Sequence, residues 1–188
     1  MTTMTEGCPF EISSHQRSII NLHVQRMIEK FTPELPESQE DKDKRRDDWR
    51  LGLSGEFAVA TLLGQTYDFQ ELPEGDGGVD LWNCNVSIDV KTSRAARIGS
   101  PVTAWPTAYR SKVMVYVRQE TKDRWDRFNV LGWAFADQVK RMAAGKEEVS
   151  ICLCQLHPVH HGFPPDVTIG DLYDPDLGEK CDWCGRAL

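Results

Sequence analysis

The chain has 188 residues, 40% hydrophobic and 27% charged, which allows one domain with a real core and excludes two full catalytic domains. No apolar run reaches the roughly 18 residues of a bilayer span, and the opening MTTMTEGCPF carries no secretory pattern, so no membrane partner is expected. A net charge of −7 excludes a nonspecific nucleic-acid coat protein. The expected setting is therefore cytoplasmic, with the six cysteines present as reduced thiols or metal ligands. The charge is unevenly spread. Residues 91–127 hold nine Lys and Arg against three acids, a local +6 on which a polyanion could dock.

In chain order, Ser13 or Ser14 caps a first helix in which Ile20, Val24, Met27 and Phe31 recur at helical spacing until Pro33. The charged stretch PELPESQEDKDKRRDD reads as a solvated linker, so residues 1–46 are taken as a helix plus linker. A second helix is expected over residues 48–63, with an apolar stripe of Trp49, Leu53, Ala60 and Leu63 and a stop at Gly64. Its Gly52, Ser54, Gly55, Ala58 and Ala60 imply close packing against a neighbour, and Glu56 falls on the inward side. Strands are expected over residues 67–72, 112–118, 128–135 and 149–156, with a short helix over 137–144. The order is mixed, so the fold class is α/β or α+β around one sheet, spanning residues 47–156. A tail rich in Pro, Gly and Asp occupies residues 157–188.

The segment VDLWNCNVSIDVKT, residues 79–92, alternates cleanly on both sides of NCN. Pairing Leu81 with Ile88 and Val79 with Val90 gathers the aliphatic residues on one face through a two-residue turn at Cys84-Asn85. That register sets Asp80 opposite Asp89, with Lys91 two residues further along the same face. Opposed carboxylates repel and need compensation. Protonation of one acid, a salt bridge to Lys91, or a hard divalent cation such as magnesium or manganese would each supply it. A solvent-facing hairpin with decorative charges is the competing account.

Asp80, then Asp89-Val90-Lys91 after an eight-residue gap, resembles the PD-(D/E)xK nuclease signature, with Val79 where the motif name has proline. GEFAVATLLG, GDGGVDLW, IDVKTS and VLGWAF, in that order, are similar to small phage-type members of this superfamily over residues 48–145. The resemblance implies a restriction-endonuclease-like mixed sheet flanked by helices and metal-dependent hydrolysis of phosphodiester bonds in DNA. It implies that Asp80, Asp89 and the Val90 carbonyl hold magnesium or manganese, and that Lys91 stabilises the attacking hydroxide and the developing charge. Glu56 would bind a second metal or its water, or position Lys91. A homodimer would suit cutting of two strands. The alternatives are RNA as substrate, or a catalytically silent nucleic-acid-binding or interaction module on the same fold.

The stretch after Lys91 reads as a long loop in which Arg94, Arg97 and Arg110 can hold phosphates and Trp105 can stack on an unpaired base. An ordinary surface loop is the competing account. In the tail, Cys181 and Cys184 form a C-x-x-C-G knuckle. With Cys152, Cys154 and His157 they make a candidate structural zinc set. Buried apolar cysteines, or a loose reducible pair, are the alternatives.

Overall fold

A computed structural model describes residues 7–30, 38–67, 69, 79–94, 96, 100–105, 110–157 and 159, the side chain of Cys154 apart. In chain order the elements are β1 (Cys8–Glu11), α1 (Ser14–Lys30), α2 (Gln39–Leu62), β2 (Leu81–Asn83) and β3 (Val86–Ser93). They continue with β4 (Val102–Ala104), β5 (Val113–Gln119), β6 (Arg127–Phe135), α3 (Ala136–Ala143) and β7 (Val149–Ile151), then a 3-10 turn at Leu153–Gln155. The protein is mixed α+β. Its main sheet has the order β1-β6-β5-β3-β2, with β3 and β5 parallel and every other pair antiparallel, and β4 and β7 form a separate two-stranded ladder.

The sheet separates two apolar clusters. On one face, Ile20 and Val24 of α1 and Leu51, Val59 and Ala60 of α2 pack with Ile88, Val90, Val113, Val115 and Val117. On the other, Val102, Ala104, Ile151 and Val139 pack with Met114, Tyr116, Leu131 and Ala134. Both faces of β5 are therefore covered, which is why VMVYV reads as an unbroken apolar run. Arg118 at its end is also buried and donates to the Ser100 carbonyl at 2.7 Å, holding the approach to β4.

Local chemistry accounts for the helix starts. The Ser13 hydroxyl accepts from the Gln16 amide at 3.3 Å, and Gln16 Oε1 accepts from the Ser13 amide at 2.8 Å, a reciprocal capping box. The charged stretch after Pro33 is corrected over residues 39–48, which form the first turns of α2. Ser38 caps it by accepting from the Asp41 amide at 3.1 Å, and Glu40 and Asp41 sit in the first turn. Ion pairs Arg46–Asp43 and Arg50–Asp47 follow at i,i+3 spacing. A boundary between residues 46 and 47 thus falls inside a helix, and α1 belongs to the same core as α2.

Other expectations differ too. The buried stripe of α2 is Leu51, Ser54, Gly55, Ala58, Val59 and Ala60, while Trp49 and Leu53 are half-buried at its margin. Tyr67 and Phe69 lie outside any strand, and the rest of the strand expected there lies outside the described residues, as does Phe31. The strand over 149–156 ends at Ile151 and gives way to the 3-10 turn. β1 and β4 are elements that the alternation of residue types does not announce.

The small residues of α2 matter most at Gly55. A Cβ placed there would overlap Thr92 Oγ1 on β3. Gly55→Ala is expected to destabilise the protein by about 1–3 kcal/mol in urea unfolding. Gly55→Ala with Thr92→Ala should recover part of that loss, because the offending hydroxyl is gone.

Candidate active site

The hairpin forms in the expected register. Leu81 pairs with Ile88, Trp82 with Ser87 and Asn83 with Val86, around a turn at Cys84-Asn85. Cys84 has φ 53°, the left-handed conformation that a two-residue hairpin turn requires at its first central position. The ladder stops at Leu81. The Asp80 amide donates to the Ile88 carbonyl at 2.9 Å, and Asp80 Oδ2 accepts from the Val90 amide at 2.6 Å. The Asp80 carboxylate is therefore folded over the edge of β3, one peptide unit from Asp89, rather than set squarely opposite it.

Asp89 and Lys91 point to the face of β3 that also carries Met114 and Tyr116, their register partners on β5. Asp89 is 1% exposed, and its Oδ1 lies 2.6 Å from Lys91 Nζ, whose side chain is 34% exposed. Of the expected compensations, the salt bridge is present in this structure. A carboxylate buried to this degree strongly favours such a partner.

The oxygen atoms nearby suit a small hard cation. Val90 N–H points to the open edge where Asp80 sits, and the carbonyl of a strand residue leaves on the same side as its N–H. The Asp80 carboxylate at the Val90 amide, the Asp89 side chain one residue before it and the Val90 carbonyl thus belong to adjoining residues of β3 and its edge. Among the described residues, no three His, Cys, Asp or Glu form an ion-holding group. A magnesium ion held by two aspartates, a carbonyl and water needs no third acidic ligand.

Glu56 is half-buried on α2 and accepts a hydrogen bond from the Tyr67 hydroxyl, a partner that sequence reasoning missed. At Gly55, α2 packs on Thr92, so this part of the helix lies against the face of β3 opposite Asp89 and Lys91. Tyr67, Phe57 and Phe69 form an aromatic group beside Glu56. An alternation of aromatics at residues 67 and 69 is the one sequence signal for it.

Of the nucleic-acid candidates, Arg94 is exposed, pairs with Asp48 at 2.7 Å and lies 5.8 Å from the centre of the Trp125 ring. Arg50 lies 5.3 Å from the same ring. Trp105 is 50% exposed just after β4, and Arg110 is exposed. Arg97 lies outside the described residues. The basic segment is less available than its sequence suggests: Arg118 is buried, and Arg124 contacts both carboxylate oxygens of Asp126 at 2.9 and 3.2 Å. Hydrogen bonding to Arg124 holds the Asp126 carboxyl below the usual carboxylate range.

The candidate zinc residues lie partly within the described chain. Both Cys152 and Cys154 fall beyond the end of β7, with Cys152 preceding the 3-10 turn that contains Cys154, so the strand expected over residues 149–156 does not hold them. Cys181 and Cys184 lie outside the described residues. His157 stacks on Trp133 with ring centroids 4.2 Å apart, and the two residues exchange backbone hydrogen bonds at 3.0 and 2.7 Å. Gly132 permits this approach, since a Cβ there would meet the His157 carbonyl oxygen at 2.7 Å.

Comparison with known proteins returns no matching family model, no matching curated protein and no matching solved structure.

Burial pushes the His157 imidazole below the ordinary histidine value. The unfolded chain then binds more protons than the folded one just below that value. Stability is therefore full above the unfolded pKa and falls as pH drops through the folded one. His157→Gln should flatten the pH dependence of the urea midpoint on the acid side of neutrality.

Proposed function

We propose that the protein is a metal-dependent deoxyribonuclease of the PD-(D/E)xK type, on a restriction-endonuclease-like sheet. The observation that carries this reading is the meeting of Asp80, Asp89 and Lys91 around the Asp89–Val90 peptide of β3. The order of α2, an acid-bearing hairpin and a mixed sheet flanked by helices supports it. Asp80, Asp89 and the Val90 carbonyl would hold magnesium or manganese, which when bound supplies an activated water and offsets transition-state charge.

The chain's own residues do the rest. The Val90 amide fixes the Asp80 carboxylate at the strand edge. Lys91, anchored at Asp89 yet one-third exposed, can swing its ammonium toward a phosphate oxygen and stabilise charge developing there. Glu56, held by Tyr67, is assigned a supporting role through α2. Arg94, Arg110 and Trp105, all exposed, are the candidates for strand contact, Arg94 from the side of β3 where it pairs with Asp48 of α2.

A second reading, a silent binding module, draws on the same geometry: Lys91 and the Val90 amide already partner the two acids. Cleavage separates the two. Purified protein should cut DNA in magnesium or manganese and stop in chelator, in a panel of linear, single-stranded, flapped and four-way DNA, with RNA alongside. Asp89→Asn and Lys91→Ala should each lower the rate by at least about 100-fold while the circular dichroism spectrum is kept. Undiminished cutting by either variant excludes the mechanism, and absence of cutting by the unaltered protein favours the binding module.

A further inference from the structure

The geometry points to a subsite for an unpaired nucleotide of single-stranded DNA, formed by Trp82 and Lys112 beside the Asp80–Asp89–Lys91 group. The inference rests on the nuclease reading for the identity of the strand and adds the form of substrate to it. Trp82 is level with Ser87 in the β2–β3 ladder. The parallel ladder begins at Ile88 and Val113, and Lys112 adjoins Ser87 just before it, with its amide turned to Ser87 and its carbonyl to Ala136. Residues level across neighbouring strands share a face. Trp82 and Ser87 therefore share a face, and Lys112 stands next to Ser87 on the neighbouring chain segment. Asp89 and Lys91, two and four residues beyond Ser87, lie on that same face.

The arrangement is rigid. The Lys112 amide donates to both the Ser87 carbonyl at 3.1 Å and the Ser87 hydroxyl at 3.0 Å, so the buried serine positions the lysine backbone. On the other flank, Gln65 Nε2 donates to the Trp82 carbonyl at 2.7 Å and ties β2 to the segment after α2. Between these anchors the Trp82 side chain is 58% exposed and Lys112 is exposed. Trp82 is the most exposed large hydrophobic among the described residues, and it stands on the sheet edge nearest the two aspartates.

An exposed indole stacks on any base, without preference for sequence. The exposed Lys112 ammonium, from the segment just before β5, meets a phosphate as a point charge. The base must be unstacked from its neighbours to present its face, which a duplex interior does not allow. The chemistry thus favours a single strand running past Trp82 and Lys112, with a phosphate passing toward Lys91.

Binding of labelled oligo-dT to the full chain in chelator, compared with a DNA hairpin and with oligo-U, tests this. Trp82→Ala should weaken oligo-dT binding about 10-fold and leave hairpin binding unchanged, while Trp82→Phe stays near the unaltered protein. Lys112→Ala should lower the salt slope by about one. Unchanged oligo-dT affinity in Trp82→Ala overturns the subsite, even where cleavage is intact. Tighter binding of oligo-U than of oligo-dT overturns DNA as the occupant. Conversion of a dimer to a monomer by Trp82→Ala, with oligo-dT binding kept, overturns it in favour of a contact between copies. Loss of oligo-dT binding in a protein that cuts nothing upholds the subsite and removes the nuclease reading.

Discussion

Asp89 is 1% exposed on a strand whose adjoining residues, Ile88 and Val90, belong to the apolar core. A carboxylate in that setting costs several kcal/mol unless cations or donors meet it. Lys91 meets it from two residues along the same face. That choice keeps a long, flexible cation at a position where alternation would equally accept an apolar side chain. The Asp80 carboxylate is taken up by the Val90 amide, which lies beyond the three-residue β2 ladder. A longer β2 would claim that amide for its own backbone. The shortness of the edge strand and the clustering of charge at β3 are thus one arrangement.

The two faces of the sheet are kept distinct by a slip in β6. The register with β5 shifts between Tyr116 and Val117, so Tyr116 pairs with Gly132 and Val117 with Val130. The extra residue, Leu131, reverses the alternation. Phe128 and Val130 face the helices before the slip and Trp133 faces them after it, while Leu131 and Ala134 fill the opposite cluster. A bulge of this kind also sharpens local twist. Gly132 then admits the backbone of His157, which closes that side of the sheet.

Much of this is legible in residues alone where the signal is local and periodic. The β2–β3 register follows from the requirement that Leu81 and Ile88 share a face, and α1 from Ile20 and Val24 over a serine cap. Sequence and structure part where tertiary contacts decide. Residues 39–48 resemble a linker by charge, yet a cap and i,i+3 pairs extend α2 through them. The four residues of β1 have no pattern of their own and become a strand because β6 offers an edge. Of the site, the acids and lysine are evident in spacing. The Tyr67 partner of Glu56, and the side of the sheet on which α2 lies, depend on contacts between distant segments.

The pairing of β1 with β6 joins Cys8 to Val130 across most of the described chain. During synthesis the amino-terminal strand emerges long before its mate, so it must wait, unpaired, while the β2–β3 hairpin can close on local contacts. The interval leaves a short unpaired strand on the nascent chain, and its Pro9 and Glu11 make it a poor template for other strands. Completion of the sheet is then a late event, timed by release of β6 from the ribosome.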